Sequence, residues 1–364
     1  MALKTEDQVY GCLIGGAVGD ALGAPVENWS YKQIREEHGK VDDFLAYDSA
    51  MAVGDPGTVT DDTVMRQYLS LAIIENQGRV TPDEYAEVLI QHLNPDRVWI
   101  TEEITHLKLL GGVNPWEAGR STIPTATASM HIAPVGIINA RNPRQAYQDA
   151  YNIASITQDG CERKAAATVA AGVARAFSPN ATIDDVLETM FNYAPDVFYR
   201  SIDLTMALAD EANSIDEFVE LFYEEQLDWQ FLSIDWNREK YAEGEIFSGR
   251  SIEIVPISMA ILDLCRGDLN DALVEAASFG RDADTIGSVV GSLGGALYGG
   301  TALHEDWRET CEEANRDLFQ ELHGNPDFGF ERTADQLTDA LVAEHKRIKN
   351  RLGKFDELVD NIDS

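Results

Sequence analysis

The sequence has no Cys-x-x-Cys pair, no HExxH, no GxSxG, no P-loop and no GxGxxG following a strand. These absences remove zinc proteases, serine hydrolases of the nucleophile-elbow type and the common phosphate-binding loops. The four cysteines, Cys12, Cys161, Cys265 and Cys311, are scattered. That argues against a zinc site and against a disulfide framework, and leaves them as small buried hydrophobes. Lysine is scarce, nine against 19 arginines, while aspartate and glutamate total 63, for a formal net charge of −35. A surface of that sign repels nucleic acid and anionic membranes, so neither is expected as a partner. Salt screens such self-repulsion, and the composition suits a halophilic source as well as an acidic mesophilic one. No basic region leads into an apolar core at the amino terminus, and the apolar run Val9–Val26 carries Asp20 and many glycines. A soluble, cytoplasmic protein is the expectation.

Strand-period alternation is missing too, and no linker divides the 364 residues. A single all-α domain over 1–333 follows, with residues 334–364 as a charged helical extension. The extension is basic over His345–Lys354 and acidic over Asp356–Asp363, a solvated or partner-facing helix. Helices are predicted from Thr60 to about Asn76 and over 83–93, 101–110, 129–140 despite Pro134, 143–156, 163–177, 183–193, 201–213, 215–226, 252–265 and 269–279. Residues 28–57, 111–128 and 227–250 read as irregular.

Glycine is patterned. In GCLIGGAVGDALGAPVE (11–27), Gly11, Gly15, Gly19 and Gly23 are four apart, as are Gly287, Gly291, Gly295 and Gly299 in RDADTIGSVVGSLGGALYG (281–299). That spacing sets each quartet on one helical face. A glycine inside a helix costs about 1 kcal/mol against alanine, so a register of four needs a packing reason. Two glycine-faced helices close-packed at the centre of the fold supply one. Ordinary tight helix crossings use small residues in the same way, so the glycines alone assign no chemistry.

The chemistry lies in two acidic clusters, Thr60-Asp61-Asp62 and Asp282-x-Asp284-Thr285, each at a helix start. One acidic residue there is explained by capping and the helix dipole; the adjacent pairs are explained less well. Hard divalent cations take carboxylate, hydroxyl and carbonyl oxygens, so four aspartates and two threonines could supply a two-metal site. Without cations these carboxylates would repel, and some would be protonated.

Together with MHIAPVG (130–136), these motifs resemble the ADP-ribosylglycohydrolase family in type and order. The resemblance implies an orthogonal α-helical bundle with two Mg²⁺ or Mn²⁺ ions in a central cleft. It implies Thr60, Asp61, Asp62, Asp282, Asp284 and Thr285 as metal ligands. Glu27 matches a glutamate implicated in catalysis, and Asp62 is placed with it as a catalytic candidate. Asp20, Ser129, His131 and Gln158 fall where the family meets its substrate. There the chain departs from the pattern: Thr125-Ala126-Thr127-Ala128-Ser129 replaces an Asn-Gly-rich loop, His131 stands for arginine, and Gln158 for histidine. His131 on its apolar stretch also reads as a core histidine, Asp20 as a buried acceptor or a helix-face carboxylate, and Trp229 and Trp236 as a base-stacking wall or a packed loop. The implied function is hydrolysis of a ribosyl glycosidic bond, with ADP-ribose on a protein side chain or small acceptor as substrate. The alternatives are a smaller ribosyl compound such as a nucleoside, and a non-catalytic relative in which metal only holds the fold.

Overall fold

Helix α1 (Thr5–Gly23) has no polar face, and every residue from Gly11 to Gly23 is buried. Such a helix cannot lie on a surface, and in the computed structural model it is the axis of the bundle. The structure describes residues 3–48, 53–225 and 249–363. The stretch Thr5–Val26 is long and apolar enough to cross a membrane by composition, and 89% of it is buried inside the protein. Eighteen α-helices occur among the described residues. Besides α1 they include α2 (Asp61–Asn76), α3 (Ile100–Leu110), α4 (Thr127–His131), α5 (Gly160–Ala176), α6 (Ser251–Cys265), α7 (Ala283–Tyr298) and α8 (Gly329–Asp363). The architecture is all-α. Among the described residues the one sheet is a hairpin of Tyr47–Asp48 with Val53–Gly54, inside a stretch read from sequence as irregular.

The two glycine stripes face each other. Gly11 lies against Gly295, Gly15 against Gly291, Gly19 against Gly287, and Gly23 against Ala283. The residue numbers rise on one helix as they fall on the other, so α1 and α7 run antiparallel. At the first three pairs a methyl group on either glycine would overlap the carbonyl of its opposite number. Backbone therefore touches backbone, which no other residue allows. Gly16 points sideways from this seam and leaves a slot for the fully buried guanidinium of Arg66 from α2. Gln8 fastens the far end, its amide donating to the carbonyls of Ala176 (3.2 Å) and Ala296 (2.7 Å).

Other expectations change as well: the stretch 28–57 also carries a helix, Tyr31–Glu37, capped by Ser30. The helix predicted over 129–140 is two short ones, α4 and Ala133–Ile138, because Pro134 has no N–H to continue the first. The C-terminal helix begins at Gly329 and passes residue 334 without a break. Phe330, Ala334, Leu337 and Ala340 are buried in the core, and continuous exposure begins at His345. Trp229 and Trp236 lie outside the described residues.

Candidate active site

An antiparallel crossing brings the C-terminal end of α1 and the N-terminal end of α7 to the same place, and a cleft opens there. After Gly23 the chain makes one tight turn, Ala24–Val26, and delivers Glu27 beside Asp282. Backbone bonds lock the two loops together. Asn28 N–H donates to the Arg281 carbonyl (2.6 Å), Arg281 N–H to the Trp29 carbonyl (2.7 Å), and Ser30 bridges Gly280. The lock needs left-handed backbone at Gly280 (φ 74°), where a side chain would strike the Trp29 carbonyl, and at Arg281 (φ 62°). Arg281 holds that conformation through its buried side chain, which donates two hydrogen bonds to the Glu253 carboxylate of α6, the Nη2 one at 2.9 Å.

The second cluster arrives on α2. Thr60 caps the helix with its hydroxyl, and Asp20 of α1 accepts from Thr60 N–H (3.0 Å), Thr63 N–H (3.1 Å) and the Thr63 hydroxyl (2.6 Å). Asp20 thus satisfies the orphan amides at the start of α2 and docks that helix on α1. The clusters then cross-link: the Thr60 hydroxyl donates to Asp284 Oδ2 and the Thr285 hydroxyl to Asp62 Oδ2, both at 3.4 Å. Glu27, Asp61, Asp62, Asp282 and Asp284, with Thr60 and Thr285, all line one cleft of about 360 Å³. One carboxyl oxygen from each of Glu27, Asp282 and Asp284 falls within 4.8 Å of the others.

Crowded, partly desolvated carboxylates hold their protons. The Asp284 charge, then burial, pushes Glu27 up to about 8. Burial, then Asp284, lifts Asp20 to about 6 and raises Asp62 and Asp282. Burial, then Glu102 and Asp284, raises Asp61, and burial raises Asp284 itself. The buried cation beneath them, Arg66, donates through Nη2 to the Met130 carbonyl (2.9 Å) and to the Ser288 hydroxyl. Asp62 Oδ1 is buried without a protein partner. Hard oxygens, an orphaned carboxylate oxygen and a deficit of positive charge fit divalent cations of the Mg²⁺ or Mn²⁺ type.

The other sequence candidates, Asp20, Ser129, His131 and Gln158, stand behind the cleft wall and do not line it. Gln158 is a brace: Thr125 N–H donates to its Oε1 (3.3 Å), and its Nε2 donates to the Ile123 carbonyl (3.2 Å) and the Thr125 hydroxyl (2.8 Å). It shapes the loop whose residues Thr125, Ala126 and Thr127 line the cleft. The Ser129 hydroxyl donates to that of Ser251 (2.8 Å). His131 is fully enclosed against the ring of Tyr85, and burial lowers it to about 3, so it is neutral. Asp20 faces the start of α2. Sequence reasoning passed over Trp99, at the start of α3, and Tyr47, on the hairpin, both of which line the cleft. It also passed over Glu102, buried near Asp61, and Arg66, whose signal was an arginine four residues after Asp62, on the same helical face.

Residues 1–346 match the family model described as ADP-ribosylglycohydrolase. The chain belongs to the ADP-ribosylglycohydrolase family. Family membership supports a glycohydrolase acting on ribosylated substrates. Two relatives align nearly end to end with this family member. An uncharacterized protein of Archaeoglobus fulgidus is 28% identical over 326 residues, 87% of this chain and 95% of that protein. The uncharacterized protein YegU of Escherichia coli (strain K12) is 25% identical over 336 residues, 86% and 94% of the two chains. A solved ADP-ribosylglycohydrolase-related protein complex superposes with a TM-score of 0.64, covering 92% of this chain and 97% of its own, at 20% identity, which shows a shared fold.

Proposed function

We propose that this protein hydrolyses a ribosyl glycosidic bond with the help of two divalent cations, releasing ADP-ribose from a protein side chain or small acceptor. The observation that carries the reading is the convergence of Glu27, Asp282 and Asp284 within 4.8 Å, opposite the Thr60-Asp61-Asp62 start of α2. Asp61, Asp62, Asp282 and Asp284, with the Thr60 and Thr285 hydroxyls, would hold Mg²⁺ or Mn²⁺. When bound, the cations supply electrostatic stabilisation and water activation. Glu27, held beside Asp282 and Asp284, is placed to hand a proton to the leaving group and take one back from water. Asp62, aligned by the Thr285 hydroxyl and ionised once cations replace the protons, would offer negative charge to an anomeric carbon that turns cationic as the bond breaks. Trp99 and Tyr47 give the cleft flat apolar faces for the remainder of the ligand.

One observation favours a smaller ribosyl substrate. Among the described residues the cation lining the cleft is Arg97, and it is already engaged by Asp317 (2.6 Å) and Glu321 (2.7 Å). A diphosphate would find little positive charge there beyond the metals. The test is product formation from ADP-ribosyl-arginine and from free nucleosides, with Mg²⁺ and with a chelator, in wild type and Glu27→Gln. ADP-ribose release that needs both the cation and Glu27 is expected. Turnover of nucleosides alone would reverse the order of the two readings, and no turnover of either would sink both.

A further inference from the structure

Helix α8 is one continuous helix in two environments. Its first turns pack Phe330, Ala334, Leu337 and Ala340 into the core, whereas every residue from His345 to Glu357 is exposed. On the detached part, Ile348, Leu352 and Phe355 are 38, 57 and 61% exposed. Steps of four and three put them on one stripe of the helix, and the sequence continues the same spacing through Val359 and Ile362. A solvent-borne helix of this length is marginal alone, and an apolar stripe on it is a seam awaiting a second helix.

Charge identifies that second helix. Residues 345–354 carry Lys346, Arg347, Lys349, Arg351 and Lys354 with no acid, and residues 355–364 carry Asp356, Glu357, Asp360 and Asp363 with no base. Arg347 is held by Glu344 (3.0 Å) and the Asn76 carbonyl (3.1 Å), so the other four bases serve the detached stretch. Five bases in ten positions stand out in a chain of net charge −35. A nucleic acid or an anionic membrane attracted by them would meet the acidic half and the acidic body beside it. The surface that complements this helix is the same helix run in reverse.

We propose that α8 of one molecule pairs antiparallel with α8 of a second copy, with Leu352 and Phe355 at the centre and each basic half against the other's acidic half. A parallel pair would set like charges side by side, which the e and g positions of helix pairs penalise. The overlap, about 16 residues and so about 24 Å long, holds few apolar anchors, and the expected dissociation constant is on the order of micromolar. The dimer would hold two catalytic bodies together without touching their clefts.

Sedimentation velocity on the full chain tests this. Expected is a reversible equilibrium between 40.1 kDa and twice that mass across micromolar to submillimolar protein. Phe355→Asp should leave a monomer with an unchanged thermal midpoint, since the residue lies outside the core. Lys349→Glu with Arg351→Glu should weaken the homodimer about tenfold or more. Mixing that variant with Asp356→Lys/Glu357→Lys should restore pairing as a heterodimer. A wild-type chain that stays monomeric throughout overturns the proposal, as does a dimer indifferent to Phe355→Asp or to the charge reversals.

Discussion

Replacing Gly291 with alanine sets two effects against each other, and the structure decides between them. Intrinsic helix propensity favours alanine by about 1 kcal/mol. Against that, the new methyl group would overlap the Gly15 carbonyl oxygen and come within 2.9 Å of the Gly16 nitrogen. Both obstacles are backbone of a helix buried on every side, so neither can swing away as a side chain would. Relief requires α1 and α7 to part by about 1 Å over their length, in an interior packed as densely as a crystal. Overpacking by one methyl in a rigid core costs about 1–3 kcal/mol. With four pairs disturbed together the cost falls at the upper end of that range, and we expect a net loss of about 2 kcal/mol after the gain in propensity. Equilibrium denaturation followed by far-ultraviolet circular dichroism measures it. Gly353→Ala is the control: a methyl group there meets nothing within 4 Å, so the same change should raise helicity and leave the global midpoint in place. A Gly291→Ala protein as stable as wild type would mean the crossing is not held at backbone contact. The placement of Asp20 and Asp284 argued from it would then fall as well.

The remaining predictions concern charge. Glu27 rises from 4.5 to about 8 and Asp20 from 3.8 to about 6, so the folded, metal-free protein keeps protons that the unfolded chain has released. Its stability should therefore fall as pH climbs from about 4 to about 8, and the gain in melting temperature from Mg²⁺ over a chelator should widen over the same window; a metal-free midpoint that rises with pH rejects this. Asp284→Asn removes the charge that does most to lift Glu27. It should stabilise the metal-free protein at pH about 8 by on the order of 1–3 kcal/mol while abolishing both Mg²⁺-dependent stabilisation and hydrolysis; a destabilised, still Mg²⁺-responsive variant contradicts the site. If the −35 charge is a halophilic adaptation, the melting temperature should climb steeply with KCl into the molar range, and a flat response disposes of the idea.

Much of the scaffold could be read from spacing, because a period of four needs only the geometry of one helix. Which glycine meets which could not, since the match of Gly15 with Gly291 depends on the relative direction of two segments far apart in sequence. The acidic clusters were legible as helix starts with one carboxylate more than capping needs. The placement of Glu27 beside Asp282 was not, because it hangs on positive φ at Asn28, Gly280 and Arg281, and the arginine gives no warning of it. Asp20, Ser129, His131 and Gln158 were located by motif position, which says where a residue sits along the chain and nothing of where its side chain turns. In helices buried all round, such as α1, no polar face exists to correct that. Trp99 escaped notice because it precedes a helix rather than sitting in a patterned stretch.

The glycine crossing and the acidic cleft are one device. Asp20 on α1 and Asp284 on α7 lie near enough for the charge of the second to raise the first, and α2 reaches the cleft because Asp20 caps it. Carboxylates from three segments would drift apart if the helices carrying them could separate. The backbone contact forbids it, so packing energy in the core is set against repulsion at the mouth. Arg66, lodged in the slot that Gly16 leaves, offsets part of that repulsion from below, and protons on the carboxylates offset more. A divalent cation would displace those protons, which couples cation affinity to pH and to the tightness of the crossing. Loosening the glycine seam should therefore weaken cation binding even where every ligand is intact, because the ligands are held close by helices that have no side chains between them.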